Sequence, residues 1–567
     1  MKASDAIVQF FIDKNITDVF GYPGGMVTHL MNSFDKYKDS ISAHVTYNEQ
    51  GASFAACGYA QASLKPGVVY ATSGPGATNL ITGICNAYFD GIPAIFITGQ
   101  VNTYESGKRL YCRQKGFQET NILEIVKPVT KYCSYIEKPE DLLPELEKAY
   151  AVAMEGRCGP VLLDIPMNIQ QADVEYAIDK KRSYNANRIE EEKLQVVADL
   201  IKSAQRPCLL AGAGLRQSGA LPLFTEMMTA LSVPVVTSMI AVDALASNHP
   251  MKYGFIGAYG DRTANFIVNK CDLLITLGSR LDIRQTGVNQ ENFAPQAKLV
   301  RFDIDENECT NKIKMDEIDL HIDLKAAIPV LFEIFKKNLK NCKSWIELCN
   351  SIKKELRGID DQLPNQIVAS ISSELPEDMV ITTDVGQNQV WISQSFEVKK
   401  NQKILYSGGH GAMGYSLPAA IGAYYASEKP VACFNGDGGF QMNIQELQFI
   451  SSHNLPIKIF VFNNYSLGMI RHFQEMYFDS HYVQTVAAGD YFSCNLKKIA
   501  EAYNIPYFEF SMKESIIKDV LKEEGPCLVE VCLPEETYVV PKLAVGKPNT
   551  DQEPPLDRAL YRKLMNL

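Results

Sequence analysis

Gly436-Asp437-Gly438 and Asn463-Asn464 are the residues of this chain whose types and spacing point most directly to chemistry. The triplet ends an apolar run, Val431 to Phe434, that reads as a buried strand; the asparagine pair ends a second, Ile457 to Phe462. The helical pattern of Asn443 to Ser452 lies between them, so the segment reads as strand–helix–strand with its two strand ends side by side. A carboxylate and a carboxamide then converge beside a helix N-terminus. Hard oxygen donors of this kind suit Mg²⁺, which takes one or two protein carboxylates and shares its other positions with phosphate. The unit is expected to hold a diphosphate through a metal. A bare Gly-Asp-Gly turn would carry no such message; the paired asparagines at this distance make it specific.

Gly-Asp-Gly…Asn-Asn at this spacing resembles the metal and diphosphate motif of thiamine-diphosphate (ThDP) enzymes, and the chain resembles their acetolactate (acetohydroxyacid) synthase group over nearly all its length. Tyr22-Pro23-Gly24-Gly25, Asn48-Glu49-Gln50-Gly51, Thr72-Ser73-Gly74-Pro75-Gly76-Ala77-Thr78-Asn79 and Phe117-Gln118-Glu119-Thr120 match in the first third. Gly408-Gly409 and Gly411-Ala412-Met413-Gly414 match in the last third. The resemblance implies Asp437, Asn464 and the carbonyl of Ser466 as Mg²⁺ ligands. It places Gly436, Gly438, Gly439, Leu467, Gly468 and Met469 around the diphosphate, and Pro23, Gly24, Thr72, Gly76 and Asn79 on the opposite side of the cofactor.

An isolated Glu at a helix start, as Glu49 is before the pattern Ser53 to Ala62, is ordinarily a solvated cap. In the family, the matching Glu bonds N1′ of the aminopyrimidine and favours the tautomer that activates thiazolium C2. A largely apolar site strengthens such a contact, and the chemistry remains the cofactor's own. The family builds this site across a dimer interface, Glu49 and Asp437 coming from different subunits. Gly386-Gln387-Asn388, after a strand Met379 to Thr383, would contact the diphosphate, although the family often carries His where this chain has Asn388. Met413 resembles the bulky residue that bends ThDP into a V; a methionine between glycines is otherwise simple packing. Gln118 would face C2 and polarise a substrate oxygen.

The middle of the chain raises a second cofactor. Gly212-Ala213-Gly214 after a strand is a weak dinucleotide signal. Gly278-Ser279-Arg280-Leu281-Asp282-Ile283-Arg284 resembles the FAD segment of acetolactate synthases, with ion pairing of the arginines to Asp282 as the structural alternative. Arg157, Thr237, Asp303, Ile304 and Asp323 complete the FAD set that the resemblance implies, with a structural flavin expected.

Departures from the family fall on the acceptor side. Met167 stands where a lysine is usual, and Phe473, preceded by Arg471-His472, where a tryptophan is usual. The loop before Phe117 is long and basic, with Lys108, Arg109, Arg113 and Lys115 beside Tyr104 and Tyr111. Such a loop is either a solvated face or a grip for a phosphorylated acceptor. Arg284 on the acceptor route is retained. The expected activity is decarboxylation of pyruvate and transfer of the two-carbon unit to a carbonyl, a second 2-oxo acid giving 2-acetolactate. The alternative acceptor is a nucleotide-activated 4-keto-deoxysugar. A pyruvate oxidase shares the cofactors, and a simple decarboxylase usually relies on paired histidines, of which there is no adjacent pair here.

These residues require elements to position them. Three segments alternate short apolar runs with helical patterns, the sign of parallel sheets covered by helices, so an α/β fold of three doubly wound domains is expected. Their bounds are 1–175 (pyrimidine side), 190–340 (FAD type) and 362–535 (diphosphate and Mg²⁺), followed by a tail, 541–567, that drapes over the surface or the active-site mouth. A polar stretch, 179–188, reads as a linker, and the first and third segments read as two copies of one architecture. At 567 residues the chain exceeds one core. A net charge of −11 argues against nucleic-acid or anionic-membrane partners. Neither a membrane-length apolar run nor a signal-peptide core is evident, and the 14 cysteines are scattered, which points to a reducing cytoplasm. Cys57, Cys208 and Cys433 read as core residues.

Overall fold

A computed structural model describes residues 1–107, 110, 112–177, 190–512 and 516–567. Three six-stranded sheets organise it, every paired strand parallel to its neighbours. The first contains β1 (Asp18–Gly21), β2 (Ser42–Val45), β3 (Gly67–Ala71), β4 (Ala94–Gln100), β5 (Tyr132–Tyr135) and β6 (Pro160–Pro166), in the order 2-1-3-4-6-5. The second contains β7 (Pro207–Ala211), β8 (Val235–Thr237), β9 (Lys252–Phe255), β10 (Leu273–Leu277), β11 (Lys298–Asp303) and β12 (Ile318–His321). The third contains β13 (Val380–Thr383), β14 (Lys403–Leu405), β15 (Val431–Gly436), β16 (Ile457–Asn463), β17 (Tyr507–Glu509) and β18 (Cys527–Cys532). Its order, 14-13-15-16-18-17, repeats that of the first sheet strand for strand. The expectation of two copies of one architecture is met.

The second sheet runs 12-11-10-7-8-9, which read from its other edge is the 3-2-1-4-5-6 order of doubly wound dinucleotide-binding sheets. Its switch point lies between β7 and β10, paired from Leu273↔Pro207 to Leu277↔Ala211. Central strands such as β4 and β16 are buried along their whole length, as near-continuous apolar runs covered on both faces must be. Cys57, Cys208 and Cys433 lie in this core.

One prediction of local structure is corrected. A helix already runs from Asp437 to Met442, directly off β15. It breaks at Asn443, whose side chain donates to Gly414 O at 2.8 Å, and a 3₁₀ turn, Ile444–Glu446, precedes the Leu447–Ser452 helix. The single helix read over Asn443–Ser452 is thus replaced by a helix that ends before Asn443, a 3₁₀ turn and a shorter α-helix. The expected linker at 179–188 lies outside the described residues.

The first and third sheets are joined by the tightest helix crossing in the molecule. Asn48 caps the Glu49–Ser63 helix, its side chain accepting from Gln50 N at 2.8 Å. This alanine-rich helix lies against the Ser416–Ser427 helix through reciprocal glycines. A Cβ on Gly58 would fall 2.2 Å from Ala419 O, and one on Gly422 would fall 1.8 Å from Ala55 O. Only hydrogen at both positions lets the two backbones touch.

The segment after β18 crosses to the second sheet's unit. Leu543 N donates to Ala258 O at 2.7 Å, and Lys542 and Glu553 exchange backbone bonds. Arg262, almost wholly buried, pairs with Asp360 and donates to Gln552 O (3.1 Å) and Pro554 O (2.7 Å). The Arg558–Asn566 helix then packs Leu564 beside Phe266 and Ile352. Among the described residues, no helix is long and apolar enough to cross a membrane.

Candidate active site

A cavity of about 530 Å³ opens at the carboxyl ends of β13, β15 and β16. Gly386, Gln387 and Asn388 line it after β13, Gly438 and Gly439 after β15, and Asn464, Ser466, Leu467, Gly468 and Met469 after β16, with Gly411 and Met413 from the preceding loop. Sequence reasoning named all of these. Gly436 and Asp437 directly precede Gly438 at the end of β15.

Asp437 is almost fully buried, and burial pushes its carboxyl up to about 6 against the hydroxyls of Tyr491 (3.0 Å) and Ser493. Its hydrogen-bond partners are thus neutral. A buried carboxylate without a cation is costly, and a metal ion resolves the cost. Asn464 donates Nδ2 to Gln387 Oε1 at 2.9 Å, which turns its Oδ1 away as a free oxygen, and Gln387 is itself fixed by Thr537 O at 2.7 Å. Ser466 is buried with an unpartnered Oγ, in a turn set by Tyr465 at φ 55°. One carboxylate, one amide oxygen and a nearby backbone carbonyl form a hard, oxygen-only donor set that fits Mg²⁺. A Cβ on Gly468 would lie 1.9 Å from Gln387 Oε1 and displace the amide that orients Asn464. Asn388 spends its amide nitrogen on Asp384 O at 2.9 Å, leaving Oδ1 beside Gly386 and Gly436.

Glu49 stands elsewhere. It begins its helix almost fully buried, and Oε2 accepts from Asn79 Nδ2 at 2.9 Å. A Cβ on Gly76 would come within 3.1 Å of Oε1 and 2.8 Å of the Thr72 methyl, and one on Gly24 within 2.4 Å of Thr72. Gly24, Thr72, Gly76, Asn79 and Glu49 therefore form one cluster, with Pro23 exposed beside it. Gln118 joins at its edge, held at φ 63° against Gly74, while Phe117 projects into solvent. This cluster lines neither large cavity of the chain.

The second cavity, about 420 Å³, sits at the switch point of the second sheet. Arg157, Ala213, Gly214, Gly278, Ser279, Arg280, Asp282, Arg284, Asp303, Ile304 and Asp323 line it. Gly212 and Thr237 do not. Gly212 is the close-approach position, its would-be Cβ 2.1 Å from Gly278 O, and Thr237 is buried at the end of β8. Asp282 caps a short helix by accepting from Arg284 N at 2.8 Å and lies only 3.5 Å from Arg280, so the anticipated ion pair is a loose one. Arg284 stacks on Tyr259, and together with Ala258 these residues border both cavities.

The acceptor-side set is not brought together within one chain. Met167, His472 and Phe473 line neither cavity; Phe473 packs on Tyr477, and His472 meets the Tyr538 ring edge-on, with burial pushing its imidazole down to about 4. Lys108, Arg109 and Tyr111 lie outside the described residues. Lys115 turns back to Tyr104 O at 2.8 Å. The loop is organised by Glu119, which accepts from Ser106, Gly107, Lys115 and Gly116; burial raises its pKa, but these bonds outweigh burial and lower it overall. Leu543, Ala544, Val545 and Gly546 also wall this cavity, from the tail expected over the surface or the active-site mouth though not named residue by residue, and the sequence reading missed Val288 and Trp391.

A cavity at the carboxyl ends of β13, β15 and β16 with hard oxygen donors at its edge, a second cluster built around a buried Glu, and a dinucleotide-type sheet are the arrangement a ThDP enzyme requires. Three family models agree: thiamine pyrophosphate enzyme N-terminal TPP binding domain over residues 1–125, central domain over 194–331, and C-terminal TPP binding domain over 384–531. The chain is 33% identical over 560 residues to acetolactate synthase isozyme 2 large subunit of Escherichia coli, covering 97% of this chain and 99% of that one. It is 33% identical to the acetolactate synthase large subunit of Lactococcus lactis (96% and 94% covered) and 35% to a probable one of Methanocaldococcus jannaschii (95% and 91%). The chain belongs to the acetolactate synthase family. These relatives favour a 2-oxo acid over a nucleotide-linked sugar as acceptor.

Proposed function

We propose that the protein joins two molecules of pyruvate, with uptake of one proton, into 2-acetolactate and CO₂, using ThDP, Mg²⁺ and a structural FAD. The observation that carries this reading is the pairing of the Asp437–Asn464–Ser466 oxygen set with the buried Glu49 cluster. ThDP supplies a thiazolium carbon nucleophile and an electron sink for decarboxylation. Asp437, Asn464 Oδ1 and the Ser466 carbonyl would hold Mg²⁺, and the backbone amides at Gly438 and Gly439, opening the Asp437–Met442 helix, would meet phosphate oxygens. Glu49, with Oε2 occupied by Asn79, would offer Oε1 to the aminopyrimidine. Met413, lining the cavity, would support the cofactor, and Arg284, at the border of the two cavities, would receive the acceptor's carboxylate.

The Glu49 cluster stands apart from the cavity beside Asp437 within one chain, which supports a homodimer, or a dimer of dimers, whose sites form between subunits. The units 1–175, 190–340 and 362–535 are read as its pyrimidine, flavin and diphosphate domains, with the tail 541–567 closing the last.

Incubating purified protein with labelled pyruvate, ThDP, Mg²⁺ and FAD tests the reading. Acetolactate as the main product is the expected outcome; acetaldehyde or acetate as the main product would refute it. Glu49→Gln should slow both pyruvate consumption and deuterium exchange at thiazolium C2 by about 10²–10⁴, the usual weight of a positioned acid–base group.

A further inference from the structure

The Ile81–Asp90 helix ends between the two cavities, and its last turn grips the segment that leads to Met413. Asn86 Oδ1 accepts from Ser407 Oγ at 2.6 Å, and the same Oγ accepts from Ala412 N at 2.9 Å. The Phe89 ring stacks on His410 with 5.7 Å between centroids. Asp90 accepts from Gly408 N at 2.9 Å and from Gly409 N at 2.6 Å, and a Cβ on Gly409 would crowd the carboxylate at 3.0 Å. Two residues later the segment lines the ThDP cavity through Gly411 and Met413.

The other side of the same turn faces the central cavity, which Phe89 and Asp90 line. Arg157 donates to Phe89 O at 2.8 Å and pairs with Asp305 and Glu308 of the second sheet's unit. Burial raises the Asp90 carboxyl, and the Gly409 and Gly408 amides oppose that rise ahead of the charges of Arg280 and Arg157. A ligand filling this cavity would pack against Phe89, Asp90 and Arg157 and so fix the turn from one side, while Asn86 and Asp90 hold the Met413 segment from the other. Occupancy of the one cavity is thereby felt at the wall of the other.

We propose that Asp90 is a positioning residue through which occupancy of the central cavity sets the affinity for ThDP. The inference rests on the flavin reading above. Linkage makes the effect reciprocal, so ThDP also tightens the flavin.

The test is a cycle of four ThDP dissociation constants, measured by titration in Mg²⁺ for wild type and Asp90→Asn, each with and without FAD, alongside melting temperatures and bound FAD. Asn keeps the size of the side chain but turns an NH₂ towards one of the two amides. FAD is expected to tighten ThDP about tenfold in wild type, within the usual range for coupled sites, and by less than about twofold in the variant. A merely structural role would lower the melting temperature and leave the FAD-dependent ratio as in wild type, which would overturn the proposal. Equal affinities with and without FAD in a wild type that binds flavin also overturn it, while sparing the flavin reading. A wild type that binds no FAD defeats both. Should Asp90→Asn fail to fold, Gly409→Ala loosens the same clamp from the other side, its Cβ 3.0 Å from Asp90 Oδ1, and should lose the same ratio.

Discussion

Gly422→Ala should damage the enzyme far more than one methyl group suggests. The added Cβ would lie 1.8 Å from Ala55 O and 2.7 Å from both Ala55 C and Tyr59 N, all backbone atoms inside a helix that cannot rotate away. Ordinary contact begins at 3.4 Å, so the Ser416–Ser427 and Glu49–Ser63 helices must part by about 1.6 Å. Overpacking of a close-packed interior costs about 1–3 kcal/mol, and a clash confined to backbone belongs at the upper end. A loss of about 3 kcal/mol should lower the melting temperature by about 6–12 °C in a domain of this size. The two helices carry Glu49 and follow the Met413 segment, and a displacement of about 1 Å at positioned groups can cost about 100-fold in rate. Initial rates of acetolactate formation at saturating ThDP, with thermal unfolding on the same preparation, measure both effects. A variant melting within about 1 °C of wild type and turning over within about twofold would show that the helices do not cross backbone to backbone. Gly58→Ala should behave similarly, and the double variant should fall short of the sum, because helices already parted admit the second methyl at little further cost.

Other outcomes follow from single side chains. Glu446, fully buried and accepting from Tyr47 N at 3.0 Å, has its carboxyl raised to about 8 by burial. A carboxyl raised on folding favours the native state below its ordinary pKa and loses that advantage as pH climbs towards 8, so wild-type stability should fall between pH 5 and 8. Glu446→Gln should flatten that slope in pH-dependent denaturation, and an unchanged slope would contradict the assignment. Arg262→Met removes both charge-assisted bonds to the C-terminal segment, about 1.5–3 kcal/mol each, and should expose residues after Val540 to protease while weakening ThDP binding. Chelation of Mg²⁺ should release ThDP and abolish turnover, with recovery on adding Mg²⁺ back; ThDP retained tightly in chelator would remove the metal from the Asp437 site.

Much of the site was legible because its residues sit in short contiguous motifs at the ends of parallel strands, where side-chain type and backbone geometry are read together. Gly386, Gly438 and Asn464 are of this kind, and strand order brings them to one cavity. Asn79 was legible only through its motif; its bond to Glu49 emerges from the turn that starts at Gly74. What the sequence hid depends on long-range packing. Leu543 reaches the cavity because its amide meets Ala258 O, across hundreds of residues that no local periodicity connects. Asp90 reads as an ordinary helix end until the glycines it holds are seen beside it. The break at Asn443 likewise involves a carbonyl in another element. The acceptor set is a further case: Met167, His472 and Phe473 line neither cavity, and their own short motifs do not say what lies across from them.

The stretch from Leu543 to Gly546 also bears on how the enzyme is made. Domains emerge and fold in order during synthesis, the N-terminal one first. All three sheets can be complete while the stretch that walls the ThDP cavity is still inside the ribosome, and its anchor at Gln552 and Pro554 emerges later still. A nascent chain therefore carries a folded but open cavity until this stretch and its anchor have both emerged and docked.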